Sequence, residues 1–174
     1  NISEGLARKV LSAKFNNQLV EALSPLTEDG EIELFTWDNE EGKTAFWHSS
    51  AHVLAQAILA LYPEAKLTIG PAIENGFYYD IDFGDHSITE KELKGIEKKF
   101  LEFARKKFEF KMRSASKKEA LDFYQKEKNP YKIELIGNLE DGTITFCDHA
   151  DFTDLCRGGH IPHTGLIKAV KLLN

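Results

Sequence analysis

The sequence predicts an α+β fold in which an antiparallel β-sheet packs around a buried helix. Three observations predict this class. The stretch 44–61 is apolar on most of its helical circumference, as expected for a helix buried inside a domain. Asn75-Gly76 lies between two apolar runs, which is the strongest short-range hairpin signal. Thr89 opens a capping box in front of an amphipathic stretch. Helices among antiparallel hairpins indicate one α+β domain from about 44 to 174.

The first 43 residues predict a small separate unit. The pattern gives one helix, two strands and a charged linker, in the order 2–13, 15–20, 31–37 and 38–43. Ser3 is the expected N-cap of the helix, because its hydroxyl can accept from a free N–H of the first turn. One helix and two strands bury little surface, so we expect an appendage or an incomplete domain.

The later elements are predicted from turn residues and apolar alternation. After the hairpin at Asn75-Gly76, the capping box predicts a helix from Thr89 to about 107, and Ser116 opens a third helix that ends before Pro130. Further strands are predicted over 108–113, 131–136, 143–147 and 166–173.

Composition indicates an ordinary globular protein, with 42% hydrophobic and 29% charged residues. No apolar run approaches the ~20 residues of a membrane span, so no membrane partner is expected. Two cysteines, Cys147 and Cys156, are too few for a disulfide framework and predict a reducing, cytoplasmic setting. The chain starts at Asn1 and its only methionine is Met112, so we expect a fragment of a longer protein.

Positive charge is concentrated in one segment although the net charge is −6. Residues 91–118 hold eleven of the twenty-two Lys and Arg against four acids, a local net charge of +7. A basic helix on an acidic protein can bind a phosphate backbone, because the local field decides the contact. The alternative is a solvated helix face, which a single charge run more often indicates.

Two pairs of functional side chains stand about a hundred residues apart. His48 and His52 lie one turn apart on one face of the buried helix. Burying an unsatisfied imidazole costs about 1–3 kcal/mol, so both need partners. Backbone carbonyls could satisfy a single core histidine, but a second pair, Cys156 and His160, flanks a Gly-Gly loop. We therefore predict that the two pairs meet in one site.

The chemistry of that site is open from the residues alone. Imidazole and thiolate are ligands that zinc prefers, and Cys147, His149 and His163 lie close enough in sequence to leave the ligand set undecided. A metalloprotease does not fit, because Ser49 stands where that motif needs its glutamate. A thiol protease fits poorly, since no local feature is expected to lower the pKa of a cysteine.

Four motifs together resemble the editing domain of bacterial-type threonyl-tRNA synthetases. They are His48-Ser-Ser-Ala-His52, Ile69-Gly-Pro-Ala-Ile-Glu-Asn-Gly-Phe-Tyr-Tyr-Asp80, Tyr131-Lys132 and Cys156-Arg-Gly-Gly-His160. The resemblance covers about 46–172. Alanyl-tRNA synthetases share the two pairs, but the second motif favours the threonyl branch. Residues 1–40 resemble the later part of the ubiquitin-like TGS domain that precedes the editing domain, so the resemblance implies a partial TGS domain over 1–43 and an editing domain over 44–174.

The resemblance implies hydrolysis of mischarged seryl-tRNA(Thr) and binding of tRNA(Thr). Serine lacks one methyl of threonine, and one methyl in a pocket discriminates by only ~1–3 kcal/mol, so a second, hydrolytic site is needed. It also implies a set of site residues. Those of catalysis are His48, His52, Lys132, Asp154, Cys156 and His160, with His48 handling a proton and Lys132 holding the ribose or the developing negative charge.

Substrate and tRNA contacts are predicted partly by the resemblance, which gives the role of Tyr79, and partly by the residues themselves. Tyr79 would exclude the threonine methyl, and Gly70 and Pro71 could bring backbone N–H groups close to the ligand. The basic helix would bind tRNA through Lys98, Lys99, Arg105 and Lys106.

Cofactors and assembly are also expectations from the resemblance. We expect editing without an obligatory metal, although zinc could bind His48, His52, Cys156 and His160 as it does in the alanyl branch. ATP, zinc and a homodimer interface are expected only of the aminoacylation core, which this chain lacks. Two alternatives are a non-catalytic RNA-binding module with a structural zinc site and an alanyl-type deacylase acting in trans.

Overall fold

The computed structural model describes residues 3–173 and confirms the α+β class. Residues 1, 2 and 174 lie outside the described residues; residues 1 and 2 belong to the predicted unit 1–43, residue 2 also to the predicted first helix, and residue 174 to the range 44–174. The helices are α1 (Glu4–Ala7), α2 (Glu40–Leu61), α3 (Glu90–Arg105), α4 (Lys117–Lys126) and α5 (Pro130–Gly137). The strands are β1 (Ser12–Phe15), β2 (Gln18–Val20), β3 (Ile32–Phe35), β4 (Lys66–Leu67), β5 (Ala72–Ile73), β6 (Gly76–Phe77), β7 (Ile81–Asp82), β8 (Lys111–Ser114), β9 (Thr145–His149) and β10 (Phe152–Leu155).

The strands of the described chain form small antiparallel sheets. Their orders are β2-β1-β3, β10-β9-β8, β4-β7 and β5-β6. The first sheet, with α1, makes up what we call the N-terminal unit, residues 3–35. None of the described helices is long and apolar enough to cross a membrane.

The N-terminal unit differs from the prediction in two places. Ser3 caps α1 by accepting from Leu6 N–H, as predicted, but the helix ends at Ala7 instead of continuing to 13. The predicted strand 15–20 is a hairpin, β1 and β2, joined by Asn16 and Asn17, which have φ of 49° and 62°. Asparagine tolerates this left-handed conformation, so two adjacent asparagines can form a two-residue hairpin turn.

The predicted linker 38–43 is wrong, because α2 already begins at Glu40. Glu40 and Glu41 are favoured there by the positive end of the helix dipole. A Cβ on Gly42 would lie 2.0 Å from the Thr36 carbonyl oxygen, so glycine permits helix and strand to approach closely. The N-terminal unit therefore joins the central helix directly.

Helix α2 is the centre of the molecule, as predicted. Its residues from Ser49 to Ile58 are all buried. Helix α3 packs against it through Ile96, Phe100 and Ala104. The predicted capping box of α3 is present, with Thr89 and Glu92 bonded reciprocally.

The hairpin predicted at Asn75-Gly76 is also present. Ile73 pairs with Gly76, so the two turn residues are Glu74 and Asn75, one position earlier than predicted. The strands β4 and β7, which flank this hairpin in the chain, pair with each other. Tyr79, two residues before β7, packs against the core cluster to which α2 contributes.

The strand predicted over 131–136 is wrong, because this segment is helix α5. Asn129 accepts from the Lys132 N–H at 3.1 Å and Pro130 occupies the first turn, which together start a helix. Lys132 and Ile136, four residues apart, form the buried face. The alternation of apolar residues that predicted a strand is also compatible with this helical face.

The C-terminal region holds a sheet and an irregular segment. Strands predicted over 108–113 and 143–147 start later, at Lys111 and Thr145, and β10 was not predicted. Ala150, with φ of 52°, makes the turn between β9 and β10. The strand predicted over 166–173 is wrong: a 3₁₀ turn at Thr164–Leu166 is followed by irregular chain.

Candidate active site

The two pairs of side chains meet. His48 Nε2 lies 3.0 Å from Cys156 Sγ, and Cys156 Sγ lies 3.3 Å from His160 Nε2. His52 Nε2 lies 3.4 Å from His48 Nε2. One donor atom from each of these four residues falls within 4.8 Å of the others. We call these four residues the His/Cys cluster.

Ser49 ties the two segments together. Its hydroxyl donates to the Ala45 carbonyl at 2.7 Å within α2 and accepts from Ile161 N–H at 3.0 Å. Ile161 directly follows His160, so this bond holds the distant loop against the helix at the level of His48 and His52. Ser49 therefore has a structural reason to stand between the two histidines.

The predicted loop between Cys156 and His160 is present. Gly158 and Gly159 have φ of 94° and 85°, a region that favours glycine. The turn brings Gly158 N–H to within 3.3 Å of Cys156 Sγ. A backbone donor and several imidazoles thus surround one sulfur.

A second group of polar side chains adjoins the His/Cys cluster. Lys132 Nζ donates to Asp154 Oδ1 at 2.6 Å, and both side chains are only 3% exposed. Tyr79 OH donates to Asp154 Oδ2 at 2.6 Å and accepts from Lys132 Nζ at 3.3 Å. His52 Nδ1 lies 3.3 Å from Asp154 Oδ2, an ion-pair distance without the alignment of a hydrogen bond. His52 therefore connects the two groups.

The buried charges shift each other's pKa. Burial would raise the pKa of Asp154, but Lys132 and His52 hold it below its ordinary value. Burial would likewise raise the pKa of Cys156, but His52, His160 and His48 lower it to about 3. Cys156 is thus a thiolate at neutral pH. The prediction was that no local feature lowers the pKa of a cysteine; His160, in the same loop, does so together with His48 and His52, which come from helix α2.

The imidazoles respond to that thiolate in different ways. Burial lowers the pKa of His48. Burial opposes protonation of His52 and His160 too, but their pKa values are raised, by Cys156 and Asp154 for His52 and by Cys147, Cys156 and Glu21 for His160. The site therefore holds a neutral imidazole next to charged groups, which is the arrangement that proton transfer near pH 7 requires.

One cavity of about 1050 Å³ is lined by His48, His52, Cys156, Lys132 and Asp154, whereas His160 is fully buried behind its wall. Gly70, Pro71 and Tyr79, predicted as substrate contacts, also line it. A Cβ on Gly70 would lie 2.3 Å from the Tyr79 ring, so glycine allows that ring to pack against the loop. Tyr79 is consequently fixed at both ends, by Gly70 at the ring and by Asp154 at the hydroxyl.

The predicted tRNA-binding residues lie apart from the cavity. Lys98 and Arg105 are exposed on α3 and Lys106 is exposed at its C-cap, while Lys99 is half-buried and pairs with Glu102 at 3.2 Å. None of the four is among the residues that line the cavity in the part of the chain described. Any contact they make is with a more distant part of a ligand.

Two contacts of the site were not predicted. Tyr124 OH donates to Asp154 Oδ1 at 3.2 Å and accepts from Leu155 N–H at 2.8 Å. Glu21 accepts from His160 Nδ1 at 3.0 Å. Neither residue stands in a motif, and only the folded chain brings them near the site.

The His/Cys cluster fits a metal ion by its chemistry. Three imidazoles and a thiolate are a donor set that Zn²⁺ accepts. His52 and His160 each contact a carboxylate, Asp154 and Glu21, through their second ring nitrogen, as is common for metal-bound histidines. Zn²⁺ bound there would supply Lewis acidity and lower the pKa of a bound water. Cys147 Sγ lies 3.8 Å from His160 Nδ1, and neither it nor His149 nor His163 belongs to the cluster.

The C-terminal part of the chain, which carries part of the site, matches a known protein family. Residues 144–174, which include Asp154, Cys156 and His160, match the family described as the Threonyl and Alanyl tRNA synthetase second additional domain. The part of the site on β10 and the Gly-Gly loop is therefore similar to an accessory domain of aminoacyl-tRNA synthetases.

Over its whole length the chain is similar to threonine–tRNA ligases. The chain is 63% identical to the threonine–tRNA ligase of Flavobacterium johnsoniae over all of its 174 residues, which are 26% of that protein. It is 52% identical to the ligase of Cytophaga hutchinsonii and 50% identical to that of Porphyromonas gingivalis, with full coverage of the chain and 27% of each relative. The resemblance to threonyl-tRNA synthetases is thus confirmed, and the chain spans about a quarter of the length of these relatives.

Proposed function

We propose that the chain is the editing region of a threonine–tRNA ligase and hydrolyses mischarged seryl-tRNA(Thr). One observation carries the proposal: a thiolate–imidazole cluster and a buried Lys132–Asp154 pair line the same cavity and are connected by His52. In the same proposal, residues 1–43 are a partial TGS domain and residues 44–174 the editing domain. The separate sheet β2-β1-β3 supports this division.

Hydrolysis of the ester needs a base for water and a partner for negative charge on the carbonyl oxygen. His48, whose pKa is lowered by burial, accepts a proton from water and returns it to the leaving ribose oxygen. Cys156 lies 3.0 Å from His48 Nε2 and, as a thiolate, stabilises the imidazolium that forms. Lys132 stabilises the developing oxyanion or holds the ribose. Asp154 binds the amino group or hydroxyl of serine; His160, predicted for the same role, is fully buried outside the cavity lining and contacts Cys156 instead.

Selectivity for serine depends on a rigid wall. Tyr79 is held by Asp154 at 2.6 Å and by Lys132 at 3.3 Å, and its ring packs against Gly70. A wall fixed at so many points cannot move aside for the methyl of threonine without breaking buried hydrogen bonds, each of which contributes about 1 kcal/mol or more. Its fixed position supports the proposed rejection of threonyl-tRNA.

We propose that this hydrolysis needs no metal. Lys132 and His52, which line the cavity, and His160 behind its wall already supply positive charge to the site. Zinc binding would require His52 and His160 to lose protons, which lowers the apparent affinity at neutral pH. Metal analysis of the purified protein is expected to show less than one equivalent of zinc, and EDTA dialysis is expected to leave the deacylation rate unchanged.

Binding of tRNA completes the proposal. Helix α3 buries its apolar side against α2 and directs Lys98, Arg105 and Lys106 outward, where they can contact phosphates. In the longer relatives, ATP, zinc and a homodimer interface would belong to the part of the protein outside this chain. We also propose that the protein is cytoplasmic, because the relatives are tRNA ligases.

The decisive experiment compares deacylation of seryl-tRNA(Thr) and threonyl-tRNA(Thr) by the 174-residue chain. We expect rapid loss of serine, slow loss of threonine, and a large rate reduction in His48→Ala. His86→Ala is the matched control, because His86 is an exposed histidine outside the lining of the cavity.

Other outcomes separate the alternatives. Tight tRNA binding without hydrolysis above background would favour a non-catalytic RNA-binding module, which the similarity to the ligases does not favour. Faster hydrolysis of seryl-tRNA(Ala) than of seryl-tRNA(Thr) would favour an alanyl-type deacylase.

A further inference from the structure

Glu21 reaches the candidate active site from outside the proposed editing domain. It directly follows β2 in the N-terminal unit, 139 positions before His160. Its carboxylate accepts three hydrogen bonds: from Gly159 N–H at 3.1 Å, from His160 N–H at 3.2 Å and from His160 Nδ1 at 3.0 Å. The Glu21 side chain is 13% exposed and that of His160 is fully buried. A carboxylate with three donors in such a place is a strong, specific contact.

The Gly-Gly loop is shaped to make this contact. The left-handed φ of Gly158 and Gly159 turns successive backbone N–H groups to one side of the loop, where Glu21 lies. A Cβ on Gly159 would lie 2.8 Å from Leu19 Cδ2, and one on Gly158 would lie 3.4 Å from Glu21 Oε1. The end of β2 therefore packs closely against the loop that carries Cys156 and His160.

The contact also decides which way the His160 ring points. When Nδ1–H donates to Glu21, Nε2 is directed at Cys156 Sγ, 3.3 Å away. A chain of carboxylate, imidazole and cysteine sulfur results, in which the carboxylate orients an imidazole that in turn touches the reactive group. Cys147 Sγ, at 3.8 Å from His160 Nδ1, is a weaker partner for the same nitrogen.

We infer that Glu21 is a positioning residue for the editing site, supplied by the N-terminal unit. It fixes His160 with Nδ1–H toward the carboxylate and Nε2 toward Cys156, and it holds the Gly-Gly loop in place. The site is thus complete only when the N-terminal unit is docked. This inference rests on the proposed function for its kinetic consequence, but its structural consequence, the orientation of the His160 ring, is independent of it.

The test compares Glu21→Ala and Glu21→Asp in the 174-residue chain, with Glu33→Ala as the control. Glu33 is an exposed glutamate on β3 of the same sheet. We expect Glu21→Ala to lower kcat for seryl-tRNA(Thr) by about 10–100-fold, the usual cost of removing a group that orients a site residue. KM should stay within about twofold, because Glu21 does not line the cavity. Glu21→Asp keeps a carboxylate and should recover part of kcat.

The second measurement is the ¹⁵N chemical shift of the two His160 ring nitrogens at one fixed pH. In the unaltered chain Nδ1 should carry the proton shared with Glu21, and in Glu21→Ala the Nδ1 signal should move. An unchanged His160 spectrum in Glu21→Ala, or a lower kcat with unchanged ring signals, would overturn the inference, because Glu21 would then only stabilise the loop. A rise in KM alone would overturn it as well.

Failure of the inference and failure of the proposed function are distinguishable. If the unaltered chain does not hydrolyse seryl-tRNA(Thr), the proposed function fails and the ring-nitrogen shifts alone decide the role of Glu21. If Glu21→Ala does not fold, Glu21→Asp decides: its shorter side chain should shift the Nδ1 signal and lower kcat, and a spectrum and kcat equal to those of the unaltered chain would contradict the inference.

Discussion

Cys156 shows how a buried charge is maintained by residues distant in sequence. Burial alone would raise its pKa, yet three imidazoles and Gly158 N–H surround the sulfur and favour the thiolate. Cys147 lies on the neighbouring strand β9, and there burial dominates and raises the pKa to about 11. Two cysteines nine residues apart therefore differ in charge at neutral pH.

Alkylation measures this difference. Because the thiolate is the reactive form, the rate of iodoacetamide modification at Cys156 should be nearly constant between pH 5 and pH 8. Cys147 should stay unmodified over the same range. Peptide mass spectrometry with time resolves the two sites, and Cys156→Ser is the control. A rate at Cys156 that rises about tenfold per pH unit would show an ordinary thiol and contradict the assigned charge.

His149 is a buried imidazole next to the site, and burial lowers its pKa to about 3. In the described chain neither of its ring nitrogens has a hydrogen-bond partner, and it packs against Phe110 and Phe152. Its ordinary pKa is 6.5, so between about pH 6.5 and pH 3 the unfolded chain binds a proton that the folded chain does not. This group therefore lowers the free energy of unfolding as the pH falls through that range.

His149→Phe should remove this contribution. Urea unfolding at pH 7 and pH 4.5 should show a smaller loss of stability in the variant than in the unaltered chain. Phe152→Leu is the control, because Phe152 is a buried aromatic neighbour of His149 without a titratable group, and this variant should leave the pH dependence unchanged. Equal acid sensitivity in His149→Phe and the unaltered chain would show that His149 is not the responsible group.

At the scale of elements, helix α5 positions Lys132 for the site. Asn129 starts this helix by accepting from Lys132 N–H, and its amide donates to the Leu67 carbonyl at 2.8 Å. One buried side chain thus caps α5 and fixes it to β4. Because Lys132 lies in the first turn, the position of its ammonium group depends on this cap.

Asn129→Ala should lower the free energy of unfolding by about 1–3 kcal/mol, since it removes a cap and leaves a buried carbonyl without its donor. Asn138→Ala at the other end of α5 is the matched control, because Asn138 is exposed and bonds only locally to Glu134. Urea unfolding of both variants checks the prediction. Equal destabilisation by the two would contradict the special role of Asn129.

The elements differ in how well the sequence alone predicts them. The capping box at Thr89 and the hairpin near Asn75 depend on local chemistry and were predicted correctly. The segment 131–136 was predicted wrongly, because its alternation fits a strand while the deciding contact is a cap from outside the pattern. Glu21 could not be predicted, since its partner lies 139 positions away and no local pattern encodes that contact.

The site residues divide in the same way. His48, His52, Cys156 and His160 were found through spacing, because each pair is local, and the structure brings the two pairs together. Tyr124 was not found, since it stands on the helix α4 as one aromatic residue among several and only the folded chain places its hydroxyl on Asp154. Contacts between units are therefore where the sequence alone is least informative.

For the whole molecule, the distribution of charge matters more than its sum. The chain carries −6, but residues 91–118 carry +7. Helix α3 itself has five Lys or Arg against four Glu, and most of the local positive charge lies in the residues that follow it, 106–118. An acidic protein with one basic segment, residues 91–118, attracts a nucleic acid mainly at that segment, which would orient tRNA before contact. We therefore expect the affinity for tRNA to fall as the salt concentration rises, and the steepness of this fall to depend on which positive charges are present.

Charge reversal tests this location. Lys98→Glu and Lys126→Glu change the net charge by the same amount, but Lys98 is exposed on α3 and Lys126 is exposed on α4. Affinity for tRNA(Thr), measured between 50 and 200 mM salt, should fall in both variants through general repulsion. Only Lys98→Glu should also reduce the slope of log K against log salt, by about 0.7–0.9 for each phosphate that the helix no longer neutralises. Equal slopes in the two variants would mean that tRNA meets a different surface, and α3 would then be a solvated face without a role in binding.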